Sequence, residues 1–340
     1  ALFEKRESNL QYNVKGLFYQ RLFGIEISDD DYSSFNIYDI NGSLLGNGSI
    51  FSGENLVKND YSFSLYANEE RRFKNDNILS FGLRIRDKKN ITPSLSYLMK
   101  KNSGYNYRFS YTAGYRKPSI KELYYDWVPS NHLPVYGNPN LKSSKNNYFT
   151  FSLDKRTNIN DFSMDFYRND IKDMISTNYR TTGLYYENYE QVTIHGINIH
   201  YYRKITDKLK LKFVYNLTDA SSDSQEILEG ISKHALRINL NHSISDKIKM
   251  ISTIKYVGEK FVYDQDENYT KNLSDYWMCD TYMIVSFDRL MFKIGVKNIF
   301  NYKDNSRLSI NDLPEVLNNY DPGRRLFIEL KLKFRGDSNE

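Results

Sequence analysis

A strict alternation of apolar and polar side chains recurs along most of the chain and constrains its fold more than any other feature. Between residues 209 and 217, Leu209, Leu211 and Phe213 alternate with Lys210 and Lys212. A period of two predicts a β-strand whose two faces meet different surroundings. Because a face rich in Lys, Arg, Asn and Glu is too hydrated for a dry core, it fits either a sandwich exterior or a water-filled barrel lumen.

The alternation predicts a long series of strands. Clear ones are expected near residues 61–73, 79–86, 91–99, 105–113, 147–154, 160–168, 192–203, 207–217, 233–244, 247–257, 280–287, 290–298 and 325–334. The pattern is weaker before them and predicts one or two strands over 8–28 and up to two over 33–52. With the ~10-residue segment that a spanning strand needs, the count is about fifteen.

The connections between these strands favour a barrel over a sandwich. Short connections are expected at 74–77, 100–104, 155–158, 204–207, 245–246 and 288–290. The alternate connections are longer and polar, at 114–146, 169–191, 218–232, 258–279 and 299–324. Tight turns at one end and long loops at the other are typical of a transmembrane antiparallel up-and-down β-barrel.

A barrel in a membrane fixes which face of each strand meets lipid. Side chains expected to face lipid are Leu211, Phe213, Leu236, Ile238, Leu330 and Leu332. Side chains expected to face the lumen are Lys210, Lys212, Arg237, Asn239, Lys331 and Lys333. The reason is that Lys or Arg on the lipid face at mid-bilayer costs roughly 2–4 kcal/mol.

Composition agrees with a strand-built membrane protein and excludes several other classes. No run of about 18 apolar residues exists, so a transmembrane helix is excluded. The 30 Tyr and 20 Phe against 2 Trp suit half-wet aromatic girdles, although a tyrosine-rich soluble β-protein remains the alternative. The single Cys279 excludes an internal disulfide framework, and the net charge of +5 lacks the basic block that nucleic-acid binding would need.

Two short motifs border the long connection 114–146. The first comprises Tyr115, Arg116 and Pro118 with Leu123 and Tyr124 soon after, and the second comprises Asn138, Pro139, Asn140 and Leu141. The pair resembles the aromatic-Arg-x-Pro and Asn-Pro-Asn/Asp-Leu boxes that border one extracellular loop in TonB-dependent outer-membrane receptors. The first box departs from the common pattern at Tyr115 and Lys117, and Lys142-Ser143-Ser144 replaces the usual Lys-Pro-Glu.

Two later segments extend the resemblance to roughly residues 61–334. Phe292–Tyr302 is similar to the penultimate strand of that family, and Asp321-Pro322-Gly323-Arg324-Arg325 is similar to the approach to its final strand. Barrels of this family usually stop at an aromatic residue, whereas here a tail, 335–340, follows Phe334.

The resemblance implies a fold and a function. Because the family has a 22-strand barrel with an N-terminal plug inside it, residues 1–340 are expected to be a single region, the C-terminal part of such a barrel, without the plug domain. The implied function is active import of a scarce ligand, of the ferric siderophore, haem or cobalamin class, across the outer membrane of a Gram-negative bacterium. The alternative, from a different class, is a passive channel of about 14–16 strands.

The resemblance also implies partners. The motor TonB–ExbB–ExbD would act through the plug, and a second polypeptide would carry that plug and the remaining strands. A surface lipoprotein and outer-membrane lipid are further expected partners, and nucleic acid is not.

Candidate ligand-binding residues lie in the first box and in the loop that follows it: Arg116, Tyr124, Tyr125, Trp127 and His132. In haem receptors of the family a His in this place is an axial ligand of the iron, so His132 raises a haem hypothesis. The alternatives are that His132 is a solvated loop residue and that Arg116 anchors the loop base to a neighbouring strand. No other metal ligand and no cofactor are expected.

No catalytic site is expected. The sequence contains neither a Gly-x-Ser-x-Gly elbow nor a His-Glu-x-x-His motif, so we do not expect an enzyme. His195 and His200 are five residues apart on one predicted strand and therefore point to opposite faces, so their spacing does not suggest a shared metal.

Overall fold

The alternating segments form long antiparallel strands. The structure, a computed structural model, describes residues 2–34, 56–87, 89–128, 134–180, 182–222, 230–264, 269–303 and 323–332. Its elements are β1 (Leu2–Lys15), β2 (Tyr19–Ser34), β3 (Leu56–Arg72), β4 (Ile78–Arg86), β5 (Asn90–Lys100), β6 (Tyr105–Arg116), α1 (Ile120–Tyr124), β7 (Asp126–Trp127), β8 (Val135–Tyr136), β9 (Ser144–Arg156), β10 (Asn160–Arg180), β11 (Gly183–Lys204), β12 (Leu209–Ser222), β13 (His234–Ser243), β14 (Ile248–Val257), β15 (Lys260–Asp264), β16 (Tyr269–Leu273), β17 (Tyr276–Ser286), β18 (Leu290–Lys297) and β19 (Arg325–Leu332).

The long strands pair in chain order. One antiparallel series runs from β1 to β6, passes directly to β9–β14 and then to β17–β19, in agreement with the expected count of about fifteen. Within the described residues β1 and β19 do not pair with each other, so the sheet is open and has the form of a partial barrel. No helix in the described ranges is long and apolar enough to cross a membrane.

The clear strands lie where the alternation predicts them, with boundaries that differ by a few residues at most ends. The blurred region 8–28 falls within the two strands β1 and β2. The further strands expected over 33–52 fall mostly on residues outside the described ranges.

The expectation of a long loop at 169–191 is wrong. There β10 and β11 continue as a hairpin that pairs from Lys172 opposite Gln191 to Arg180 opposite Gly183. Both faces of this hairpin can meet water beyond the membrane, so the apolar alternation ends although the backbone ladder continues. Asp173 has a positive φ of 53° at the point where β10 leaves β9. The connection 258–279 likewise contains a hairpin, β15–β16.

The strand register confirms the division into two faces. Phe213 lies opposite Ile238 on one face, and Lys212 lies opposite Asn239 on the other. In the final pair Phe292 lies opposite Leu330. Lys333 lies outside the described residues. His195 and His200 fall on opposite faces of β11, as expected from their spacing.

Apolar side chains cover one face of the sheet while remaining accessible, as a lipid-facing surface requires. Leu326, for example, is 82% exposed. The other face carries polar networks: Asn216 bonds Asn198 at 2.6 Å, and Ser110 bonds Ser96 at 3.0 Å. These bonds are typical of a hydrated lumen wall.

Candidate functional site

The loop between β6 and β9 begins with a capped helical turn. Ser119, the N-cap of α1, accepts a hydrogen bond through Oγ from the Glu122 N–H at 3.3 Å, and the Glu122 carboxylate accepts from the Ser119 N–H at 2.8 Å. This reciprocal pair is a capping box, which satisfies two donors at the start of the helix. The spacing Ser-x-x-Glu is the sequence signal that could have predicted the turn.

Glu122 also joins the helix to the first box. Its side chain is buried, and Arg116 at the end of β6 donates to it through Nη2. The arginine therefore anchors the loop base as the alternative proposed, but its partner belongs to the same loop and not to a neighbouring strand. Tyr186 of β11 lies near this pair; burial raises the pKa of its phenol, Glu122 adds to the shift and Arg116 opposes it.

The helix packs across the lumen side of β2 and β3. Ile120 and Tyr32 form a buried cluster, with Tyr124 and Tyr125 packed against it. Lys121 Nζ lies 5.4 Å from the centroid of the Tyr32 ring, which is within the range of a cation–π interaction. Tyr32 shares its face of β2 with Glu26, whose carboxylate pairs with Arg84 on the polar side of the sheet. The loop thus folds inward at the mouth.

A second ion pair joins the start of the loop to β3. Lys117, which stands where the family more often has Ala, pairs with Asp60 of β3. The lysine at this position, where the sequence departs from the common box, therefore has an ion-pair partner on a strand of the barrel.

The second box docks onto the end of the helix. The Asn138 N–H donates to the Glu122 carbonyl at 2.8 Å, and the Gly137 N–H donates to the Tyr125 carbonyl at 2.6 Å. A Cβ at Gly137 would lie 2.6 Å from the Tyr125 backbone nitrogen, so only glycine allows this approach. The Asn138 side chain accepts from the Asn140 N–H at 2.9 Å, which shapes the turn that follows. The two boxes are therefore bonded to each other.

The extended hairpin β10–β11 supports the loop from the other side. Asn188 accepts from the Lys142 N–H at 2.8 Å and donates to the Lys142 carbonyl at 3.0 Å and to the Asp173 carbonyl at 2.9 Å. β8 runs parallel to β11 for two residue pairs, and the Tyr136 and Tyr185 rings stack at 4.8 Å. No short-range signal in the sequence marks Asn188.

The structure brings four of the five candidate residues into this one folded loop. Arg116 lies at its base, Tyr124 and Tyr125 are half-buried on the cluster, and Trp127 is half-buried in β7. His132 lies outside the described residues. Burial raises the pKa of Asp126, which neighbours Trp127. Direct contact of these side chains with a ligand remains a prediction.

Long antiparallel strands, an apolar outer face, a polar inner face and a folded loop at the mouth together define part of a transmembrane β-barrel. The family described as TonB dependent receptor-like, beta-barrel matches residues 4–299. The chain belongs to this family, which is one of outer-membrane transporters and receptors.

Solved structures of the family share the fold. A variant of the ferric enterobactin receptor PfeA from Pseudomonas aeruginosa has a TM-score of 0.74 at 16% identity, over 98% of this chain and 54% of that chain. The siderophore receptor PirA from Acinetobacter baumannii has a TM-score of 0.72 at 17% identity, over 98% of this chain and 55% of that chain. The copper transporter OprC has a TM-score of 0.74 at 12% identity, over 98% of this chain and 56% of that chain. The chain spans about half the length of these proteins.

Proposed function

We propose that the chain is the C-terminal part of the barrel of an active importer in the outer membrane of a Gram-negative bacterium. The loop at the mouth captures the ligand, and TonB–ExbB–ExbD supplies the energy through a plug. The observation that carries this proposal is that Glu122 bonds to both boxes. Its carboxylate accepts a hydrogen bond from Arg116 of the first box, and its backbone carbonyl accepts one from the Asn138 N–H of the second. A loop fixed at both boxes presents one surface to the outside.

The proposed ligand is a scarce metal chelate of the ferric siderophore, haem or cobalamin class. The loop supplies the phenol groups of Tyr124 and Tyr125 and the indole ring of Trp127, and the Tyr136–Tyr185 stack lies on the same loop and its supporting hairpin. Aromatic side chains in a fixed loop give contact area with little conformational entropy to lose on binding. PfeA is a ferric enterobactin receptor and PirA is a siderophore receptor, and the likeness of the chain to both supports the iron-chelate class.

The open edges of β1 and β19 also bear on partners, since unpaired N–H and C=O groups are costly in lipid. We propose that further strands and a plug complete the barrel, and that a surface lipoprotein assists capture. A gel and intact-mass measurement of the complex purified from its native membrane should show whether those strands and the plug belong to this polypeptide or to another.

Growth of a receptor-deleted strain on single sources of iron or cobalamin tests the ligand. If the ligand is haem, His132→Ala should reduce growth strongly and Tyr124→Phe should matter less, because the imidazole would bind the iron. For a siderophore or cobalamin the ranking should reverse. His242→Ala, on the outward face of β13, is the matched control and should grow as wild type.

The same strain separates active import from a passive channel. Deletion of TonB should abolish growth that depends on the receptor. Growth that persists without TonB would support the passive channel and refute the proposed mechanism. Wild-type growth of both loop variants on every source would show that the loop is not part of the binding site.

A further inference from the structure

A histidine interrupts the apolar outward face of β13. Leu236, Ile238 and Leu240 lie on this face, His242 follows them, and Ile244 comes next in the short turn to β14. Within the described residues the imidazole of His242 makes no hydrogen bond and no ion pair. An ionisable side chain on a lipid-facing surface is costly, so a partner or a function is expected for it.

Two methionines form a row with this histidine across three neighbouring strands. His242 lies directly opposite Met250 of β14, and Met250 lies directly opposite Met283 of β17. Directly opposite residues have Cβ atoms about 5 Å apart, so the row spans about 10 Å. Met250 and Met283 are 36% and 37% exposed, so both side chains are accessible on the outward face.

The surroundings of the row offer the imidazole no better partner. On the side of the long loops, Thr281 donates through Oγ1 to Ser252 Oγ at 3.0 Å, so these two hydroxyls are already bonded to each other. Across the strands His242 lies between Leu209 and Met250. Within the described residues, the groups of this row that can act as ligands are therefore one imidazole and two thioethers.

We propose that His242, Met250 and Met283 bind a Cu(I) ion on the outer wall, near the short turns. Soft thioether ligands favour Cu(I), and imidazole is a common copper ligand. Methionine has three rotatable bonds, so the two sulfur atoms can turn toward the imidazole. Because all three ligands are neutral, the site suits a soft ion of single charge better than Zn²⁺, which is usually bound by thiolate, imidazole and carboxylate. The described ranges contain no cluster of three His, Cys, Asp or Glu side chains that could hold a harder metal. The site faces away from the lumen and is independent of the imported ligand.

Metal binding by the receptor purified from its own membrane tests the proposal. The probes are Cu(I), added without oxygen in competition with a chromogenic Cu(I) chelator, and Ag(I), a soft ion of the same charge. The wild type should bind one equivalent of either ion that the double variant M250L/M283L and the variant His242→Gln do not bind. Leucine keeps the size and the apolar character of methionine, so the barrel should stay folded. The loss in affinity should be at least about hundredfold, since even outer-shell partners of a metal contribute about 10–100-fold.

Two control variants separate this site from other sulfur atoms of the chain. Met164→Leu removes a methionine from the outward face of β10, where neither cross-strand neighbour is His or Met, and should leave binding unchanged. Cys279→Ser removes a thiol that lies four residues from Met283 on the same strand, and this variant should also keep the equivalent. Equal binding by the wild type and M250L/M283L, or loss of the equivalent with Met164→Leu or Cys279→Ser, would overturn the proposal.

Discussion

Replacing Glu122 by Ala should open the mouth loop without unfolding the barrel. The substitution removes the carboxylate that accepts from the Ser119 N–H and from Arg116. Loss of a helix cap costs about 1 kcal/mol. The Arg116 side chain is 53% exposed, so solvent screening limits the loss of its bond to about 1 kcal/mol. Together these losses lower the free energy of loop opening by about 2 kcal/mol, which raises the open fraction about 30-fold.

Hydrogen exchange of the reconstituted protein measures this change directly. The N–H groups of Tyr125, Gly137 and Asn138 all bond within the loop, at 2.9, 2.6 and 2.8 Å, and should exchange about 30-fold faster in the variant. Amides in the middle of β12 should keep their wild-type rates. The control is Glu187→Ala, which removes a carboxylate paired with Arg180 in the hairpin β10–β11.

The outcome separates a local anchor from a general electrostatic effect. Glu187→Ala should leave the Asn138 amide unchanged, because Glu187 makes no described contact with the second box. Wild-type exchange at Gly137 and Asn138 in Glu122→Ala would refute the reasoning. So would an equal acceleration by Glu187→Ala.

Three further changes test other parts of the loop. Gly137→Ala should separate the second box from α1, because its Cβ would meet the Tyr125 backbone, and protease cleavage between residues 117 and 143 should increase. Gly230→Ala strains a backbone with a φ of 73° outside this loop and should not increase cleavage there. Asn188→Ala should accelerate exchange of the Lys142 amide by about 30-fold, since two hydrogen bonds to Lys142 of about 1 kcal/mol each are lost. An unchanged rate would show that Asn188 does not hold this part of the loop. Burial raises the pKa of Asp126 above its usual 3.8, so the loop binds more protons when β7 and β8 are paired than when they are open. The stability of the β7–β8 pair should therefore fall as pH rises from about 3.8 through the raised pKa. The Leu184 N–H donates to the carbonyl of Pro134, which directly precedes β8, at 2.8 Å and reports on the opening of this pair. Its exchange rate, corrected for the intrinsic rate, should show this pH dependence in the wild type but not in Asp126→Asn. The same dependence in both proteins would exclude Asp126 as its cause.

The strands could be predicted because the membrane imposes a pattern on them. Between lipid and lumen every second side chain must change character, so Phe213 and Lys212 reveal the strand and its two faces without any tertiary information. The loop ends could be located because the two boxes are short contiguous motifs. The hydrogen bond between the two boxes could not be predicted. The Asn138 N–H and the Glu122 carbonyl are sixteen residues apart in the chain, and no local sequence pattern determines the path between them.

The wrong expectation at 169–191 has the same physical origin and bears on function. Beyond the bilayer both faces of β10–β11 meet water or the folded loop. The side chains there no longer alternate between apolar and polar, although the two strands remain paired through backbone hydrogen bonds. That continuation carries Asn188 and Tyr185, which contact the loop through hydrogen bonds and ring stacking rather than through an apolar face. A surface that binds a polar chelate cannot be predicted from apolar–polar alternation for the same reason. Its side chains are selected for contacts with a ligand and not for a lipid or core environment. The supports of the mouth are therefore found by following hydrogen bonds outward from the two boxes, and in this chain those bonds lead to Glu122 and Asn188.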